Sequence, residues 1–230
     1  MRILLTNDDG IDAPGLAALR QAADGAGEIV VVAPATEQSG CSHRTTTDLP
    51  MTLEERGDGR FALAGTPADC VRVGLNRYGG KIDLVLAGIN SGGNLGVDVY
   101  HSGTVAAVRE AVLHGVPGVA VSHYRNRSLD GDDWRRASDW TRAILEEVLA
   151  EGWEAGAFWN VNFPCLSPGG RSPERVRCEL DHSPMSFAYR QEGGALHYAG
   201  EYHARPRADG RDIDVCFGGR IAMTLVRLGA

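Results

Sequence analysis

No stretch of this chain approaches the ~18 consecutive apolar residues of a membrane-spanning helix, so nothing in it is expected to cross a membrane. The amino terminus lacks a basic segment followed by a long apolar run, which argues against a signal peptide. The five cysteines (41, 70, 165, 178 and 216) are odd in number and widely spaced, with no Cys-x-x-Cys pair. That spacing argues against a disulfide scaffold and a thiolate zinc site, and it fits a reducing cytoplasm. Positive charge is short as well: 23 Lys and Arg stand against 30 Asp and Glu, a net charge of -7. With no global basic field, duplex nucleic acid is not an expected partner, and an anionic substrate would need a local cation. Repeats and low-complexity tracts are absent. So are the two glycine-rich nucleotide fingerprints, Gly-x-Gly-x-x-Gly and a loop ending in Gly-Lys-Ser/Thr, which disfavours a dinucleotide oxidoreductase.

What is present looks globular: 230 residues, 43% hydrophobic and 23% charged, enough to bury one α/β core with a smaller appendage. Arg2–Thr6 is a short apolar run without alternation, as in a strand buried on both faces. It stops at Asn7-Asp8-Asp9-Gly10. Pro14–Ala23 follows as a helix with Leu16, Leu19 and Ala23 inward, then Glu28–Pro34 as a second buried strand. Residues 2–33 thus read as a βαβ unit. Residues 51–64 suggest a hairpin around Gly57-Asp58-Gly59. Thr66, Pro67 and Asp69 make a helix start with a capping box. Further buried strands are expected at 82–86, 116–122 and 159–164, and amphipathic helices at 105–114 and 132–152. No Gly/Ser linker divides residues 1–164, taken here as one core with helices against a mostly parallel sheet. Residues 165–230 differ in texture. Short alternating pieces, among them 196–199 and 213–217, read as hairpins of a β-rich extension, with 221–228 as a final strand.

Ligands of open parallel sheets bind at the carboxyl ends of the strands. Two adjacent carboxylates placed there, Asp8 and Asp9, would raise each other's pKa unless a cation lay between them. An Asp-Gly after a strand also makes an ordinary tight turn, but the doubled aspartate beside Asn7 favours a divalent-metal site. A polar loop containing Ser39-Gly40-Cys41-Ser42-His43-Arg44 leaves the second strand on the same side. Residues 88–96, with four glycines plus Asn90 and Asn94, read as a loop that ligand can approach closely. Ser102-Gly103-Thr104 opens a helix whose free N–H groups would cradle a phosphate. Carboxylates, an amide carbonyl and a hydroxyl on one sheet edge are hard oxygen ligands, suited to Mg²⁺ or Mn²⁺ rather than zinc. Such a metal beside a phosphate cradle points to metal-assisted phosphoryl hydrolysis. Asp8 would orient or deprotonate the water, and a covalent aspartyl-phosphate stays open.

Six motifs occur here in one order: Leu-Thr-Asn-Asp-Asp-Gly-Ile, Val-Ala-Pro followed by Ser39, Gly-Thr-Pro-Ala-Asp-Cys, Gly-Ile-Asn-x-Gly-x-Asn-Leu-Gly, His-Ser-Gly-Thr-Val and Asn-Val-Asn-Phe-Pro. Together they resemble the stationary-phase survival protein SurE family of 5'/3'-nucleotidases, over residues 1–164. The resemblance implies a three-layer, Rossmann-like catalytic core at 1–164 and a hairpin-rich extension at 165–230 that serves oligomerisation. It implies one divalent metal ion per subunit on Asp8, Asp9, Ser39 and Asn90, with Asp8 and Asp9 as the catalytic pair. Asn7, Gly40, Asn94, Ser102, Gly103 and Thr104 would surround the substrate phosphate. The implied reaction is hydrolysis of nucleoside 5'- and 3'-monophosphates by a cytoplasmic dimer or tetramer. The extension departs from the family: Gly-Arg-Ile-Ala-Met-Thr-Leu-Val stands where Gly-Tyr-Val-Ser-Ile-Thr-Pro-Leu is usual, and Cys41 and Ser42 lie in the substrate-side loop. These departures bear on oligomeric state and substrate preference. A reading from another class is a nucleotide-binding module that senses ligand without turnover; metal-dependent phosphate release separates the two. A haloacid-dehalogenase-like phosphatase would need its two aspartates one residue apart, and here they are adjacent.

Overall fold

The computed structural model describes residues 1–167, 172–185 and 187–229. Positions 168–171, 186 and 230, part of the extension expected at 165–230, lie outside the described residues. The chain is an α/β fold built on one large, mostly parallel sheet. Its elements run β1 (Arg2–Thr6), α1 (Pro14–Ala23), β2 (Glu28–Pro34), β3 (Leu53–Glu55), β4 (Arg60–Leu63), α2 (Pro67–Arg77) and β5 (Leu84–Ser91). Then come α3 (Gly103–Leu113), β6 (Gly118–His123), α4 (Gly131–Glu151), β7 (Ala157–Phe163), β8 (Arg175–Arg177), the hairpin β9 (Tyr189–Glu192) and β10 (Ala195–Tyr198), α5 (Asp212–Phe217) and β11 (Ile221–Arg227). The spatial order of the sheet is β3-β4-β2-β1-β5-β6-β7-β11-β8, parallel except where β3 meets β4 and β7 meets β11.

Apolar strand residues alternate between two buried layers, as the pleat requires. Ile3 and Leu5 of β1 pack with Leu16 and Leu19 of α1 and with Ile144, Leu145 and Val148 of α4. Leu4, Val30 and Val32 face Val71 of α2 and Val105 and Val108 of α3 on the other side. The helix starts follow their side chains. Thr66 accepts the Asp69 amide and Asp69 returns the bond to Thr66, which closes the expected capping box. Asp130 and Asp133 do the same for α4. Gly15 lets α1 lie directly on the sheet, since a Cβ there would sit 1.9 Å from the Ile89 carbonyl oxygen.

Two local expectations are corrected. Residues 88–91 were expected to be loop, but β5 continues through them to Ser91. Its register shifts between Ala87 and Asn90, and pairing then resumes as Asn90 with Ser122 and Ser91 with His123. Gly88 makes that irregularity possible: φ is 136°, and a Cβ there would come within 2.2 Å of the Val121 carbonyl. Residues 213–217 were expected to be a strand piece and are instead helix α5. Its apolar residues alternate, yet those it buries are Ile213, Val215 and Cys216, and six residues are too few to separate a period of 2 from one of 3.6. The sheet also runs past residue 164: β11 pairs antiparallel with β7, and β8 pairs with β11. Among the described residues, no helix is long and apolar enough to cross a membrane.

Candidate active site

Strand order reverses between β1 and β5, because the chain leaves β1 toward β2 and β4 and returns to β5 on the opposite side. That is the switch point where open α/β sheets hold ligands, outside the carboxyl ends of the strands. A cavity of about 470 Å³ opens there. Asp8, Asp9, Ser39, Gly40, Asn90, Asn94 and Ser102 all line it, so segments far apart in sequence meet as expected.

Asp8 is buried, and its Oδ1 accepts the Thr104 hydroxyl at 2.5 Å. Burial raises its pKa to about 6; the Thr104 hydroxyl opposes the rise and the Asp9 charge adds to it. Asp9 is raised too, by burial and by Glu37, while the Ser91 amide on its Oδ2 at 3.0 Å and Arg125 pull it back. Asn90 donates Nδ2 to the Gly92 carbonyl at 2.8 Å, which turns its amide oxygen the other way. Ser39 donates to Glu37 at 2.6 Å and keeps its lone pairs. Among the described residues, no three His, Cys, Asp or Glu side chains form a metal-ligating group. A cation in this cavity would therefore rest on two carboxylates plus neutral oxygens, a donor set that fits Mg²⁺ or Mn²⁺.

Two expected phosphate contacts, Asn7 and Thr104, have their side chains engaged elsewhere. Asn7 is fully buried and donates to the Gly10 carbonyl at 2.8 Å, so it shapes the turn after β1. Thr104 spends its hydroxyl on Asp8. Gly103 packs under Asp8, where a Cβ would lie 3.0 Å from both the Asp8 Cβ and the Cys41 Sγ. Ser102 accepts the Val105 amide at 3.0 Å as the α3 cap while still lining the cavity. Asn94 is held from both sides: its Nδ2 donates to Ser122 at 2.7 Å, and its carbonyl accepts from Asn160 and Asn162. The loop bearing Ser39 and Gly40 is fastened by Ser42 to the Tyr100 carbonyl at 2.8 Å and by His43 to Glu110 at 2.8 Å.

Sequence reasoning missed Glu37, Ser91, Asp98, His101 and Arg125, which line the same cavity. Asp98 accepts from Tyr202 at 2.8 Å and from Arg205 at 2.5 Å, so the carboxyl-terminal segment reaches the rim of the site. His101 opens the His-Ser-Gly-Thr-Val motif and Ser91 lies inside the 88–96 stretch, both already singled out; Glu37, Asp98 and Arg125 carry no local signal.

A family profile described as survival protein SurE matches residues 3–182. The chain belongs to the SurE family. A putative 5'-nucleotidase of Nostoc sp. is 52% identical over 228 residues, spanning 99% of this chain and all of the relative. The 5'-nucleotidase SurE of Syntrophotalea carbinolica is 45% identical over 170 residues, 71% of this chain and 66% of its own. The crystal structure of the SurE protein from Aquifex aeolicus superposes with a TM-score of 0.83 at 30% identity, covering 99% of this chain and 93% of that one. The SurE match takes in every expected site residue and ends before Tyr202 and Arg205.

Proposed function

We propose that this SurE-family chain is a divalent-metal-dependent phosphomonoesterase that releases phosphate from nucleoside 5'- and 3'-monophosphates. The observation behind it is the buried Asp8 and half-buried Asp9 side by side at the sheet's switch point, in one cavity with Asn90 and beside the start of α3. Relatives named 5'-nucleotidase support the substrate class. Asp8, Asp9, Ser39 and Asn90 would hold one Mg²⁺ or Mn²⁺ ion per subunit. When bound, such an ion polarises a phosphoryl oxygen and lowers the pKa of a coordinated water.

The remaining work falls to the chain. Asp8, oriented by Thr104, takes the proton of the attacking water as oxygen bonds to phosphorus and the ester P–O bond breaks. The leaving nucleoside oxygen takes its proton from bulk water, and Asp8 returns its own to solvent. Ser102 and the first turn of α3 lie against the negative charge, where the helix dipole favours it. Five free cysteines support action in a reducing cytoplasm. Exposed Phe187, Tyr189, Leu196 and Tyr198 on and beside the β9–β10 hairpin support self-association as a dimer or tetramer.

The test is phosphate release from a panel of 5'- and 3'-nucleoside monophosphates and p-nitrophenyl phosphate, each with chelator, Mg²⁺ or Mn²⁺. Release that requires added metal and favours nucleotides is the expected result. Folded protein that releases no phosphate with either metal would instead be a nucleotide-binding module.

A further inference from the structure

Among the described residues, the phosphate cavity contains no Phe, Tyr or Trp; its lining is carboxylates, amides, hydroxyls, Gly40, His101 and Arg125. It offers a phosphate everything and a planar apolar leaving group nothing. Directly beside it lies a second cavity of about 440 Å³, and Ser91 and Arg125 line both. The second cavity has the opposite character, with walls from Tyr124, Tyr202, His203 and Asn126 over a floor of Gly92 and Gly93.

These rings are fixed in place before any ligand arrives. Tyr124 stacks on Phe217 with centroids 4.5 Å apart and lies 6.4 Å from Tyr202, inclined at 28° to each. The His203 ring stands edge-on to both tyrosines, at 5.5 and 5.8 Å, and its Nδ1 is 2.7 Å from the Tyr124 hydroxyl. Tyr202 donates to Asp98 at 2.8 Å, and the Arg205 guanidinium covers its ring at 5.0 Å. At the waist between the cavities, Arg125 donates Nε to the Ser91 carbonyl at 3.0 Å, leaving the outer guanidinium nitrogens for ligand.

We infer that the second cavity is the nucleobase subsite of the same active site, an inference that rests on the phosphomonoesterase reading above. The base stacks on the exposed His203 ring, Asn126 meets its polar edge, and the sugar passes over Ser91 and Arg125 toward Asp8 and Asp9. Stacking of this kind accepts any base, because every base has a π-face, so the subsite selects nucleotides over other phosphate esters rather than one base over another.

The test compares kcat/KM for AMP, CMP and ribose 5-phosphate in the wild type, His203→Ala and His203→Phe. The wild type should prefer both nucleotides to ribose 5-phosphate. His203→Ala should cut that preference about tenfold, chiefly through KM, and His203→Phe should restore most of it. Equal use of AMP and ribose 5-phosphate by the wild type, or an unchanged ratio in His203→Ala, would overturn the subsite. Saturation-transfer NMR with adenosine needs neither metal nor turnover. Saturation of the base protons in the wild type and its loss in His203→Ala support the subsite; no saturation in the wild type overturns it. If no ester is hydrolysed, the phosphomonoesterase reading falls and the adenosine experiment still decides the subsite.

Discussion

Thr104 shows how much of the site is set by single hydrogen bonds. Its hydroxyl spends its proton on Asp8, a carboxylate that burial alone would push far toward the neutral form. Asp8→Asn keeps the shape and removes the base. We expect turnover to fall by at least about a hundredfold with the thermal melt unchanged; near wild-type activity would take Asp8 out of the mechanism. Cys41, three residues from Gln38, whose backbone amide binds the Asp8 carbonyl, makes a useful contrast. Burial and the Asp8 charge push its thiol up, away from the reactive thiolate. Cys41→Ser should leave phosphate release within about twofold and stability within ~0.5 kcal/mol, and total loss would show that the loop does something else. At this scale the sequence was most informative where chemistry is local. Asp8 and Asp9 announce themselves by adjacency and by following a strand. Asp98 does not, because its meaning comes from Tyr202 and Arg205, more than a hundred residues away. Asn7 precedes Asp8 and Thr104 binds it, but which way each side chain turns is decided by neighbours that no spacing reveals.

Elements set the distances between these groups. Helix α1 rests on β5 through Gly15, against the carbonyl of the residue just before Asn90. Gly15→Ala has to push α1 and β5 apart. It should cost about 1–3 kcal/mol, read from urea midpoints, and should lower activity more than a surface change in α1 of equal cost. Helix α4 carries one source of acid sensitivity. Burial works to raise Asp133, but the Arg127 guanidinium, the Asp130 amide and Arg136 hold it well below the usual carboxylate range. A carboxyl depressed in the folded state stabilises the fold above its unfolded pKa and loses that contribution as pH falls through the folded value. Asp133→Asn should therefore cost about 2 kcal/mol at neutral pH. The gap to wild type should narrow as pH drops below ~4; a gap independent of pH would mean that the pair does not supply it. Strands and helices with long periodic patterns were legible in advance, α4 and the Thr66 capping box among them. The end of β5 and all of α5 were not. In one, glycines that look like loop serve a sheet irregularity; in the other, the segment is shorter than the period it must display.

At the level of the molecule, the hairpin β9–β10 stands outside the main sheet and presents Leu196 and Tyr198 to solvent. Exposed apolar side chains at that density usually mark contact with another chain. Leu196→Asp together with Tyr198→Ser should lower the mass seen by light scattering while the melt of the core stays put; an unchanged mass would mean that the hairpin does not hold copies of the chain together. The parallel set and its switch point could be anticipated from buried runs alternating with amphipathic helices. The far side of the sheet could not, since nothing in residues 221–227 says which neighbour they choose.

That choice sets an order of events in time. The strand Ile221–Arg227 lies between β7 and β8, and among the described residues Arg175–Arg177 has no other partner in the sheet. While a ribosome is still making the chain, the outer edge of β7 stays unpaired and β8 has nothing to dock on until residue 227 is free. The emerging polypeptide therefore carries an open strand edge, the hazard that leads to wrong pairings between nascent neighbours. The cavity around Asp8 and Asp9 can form early in synthesis. The aromatic cavity beside it waits for Tyr202 and His203.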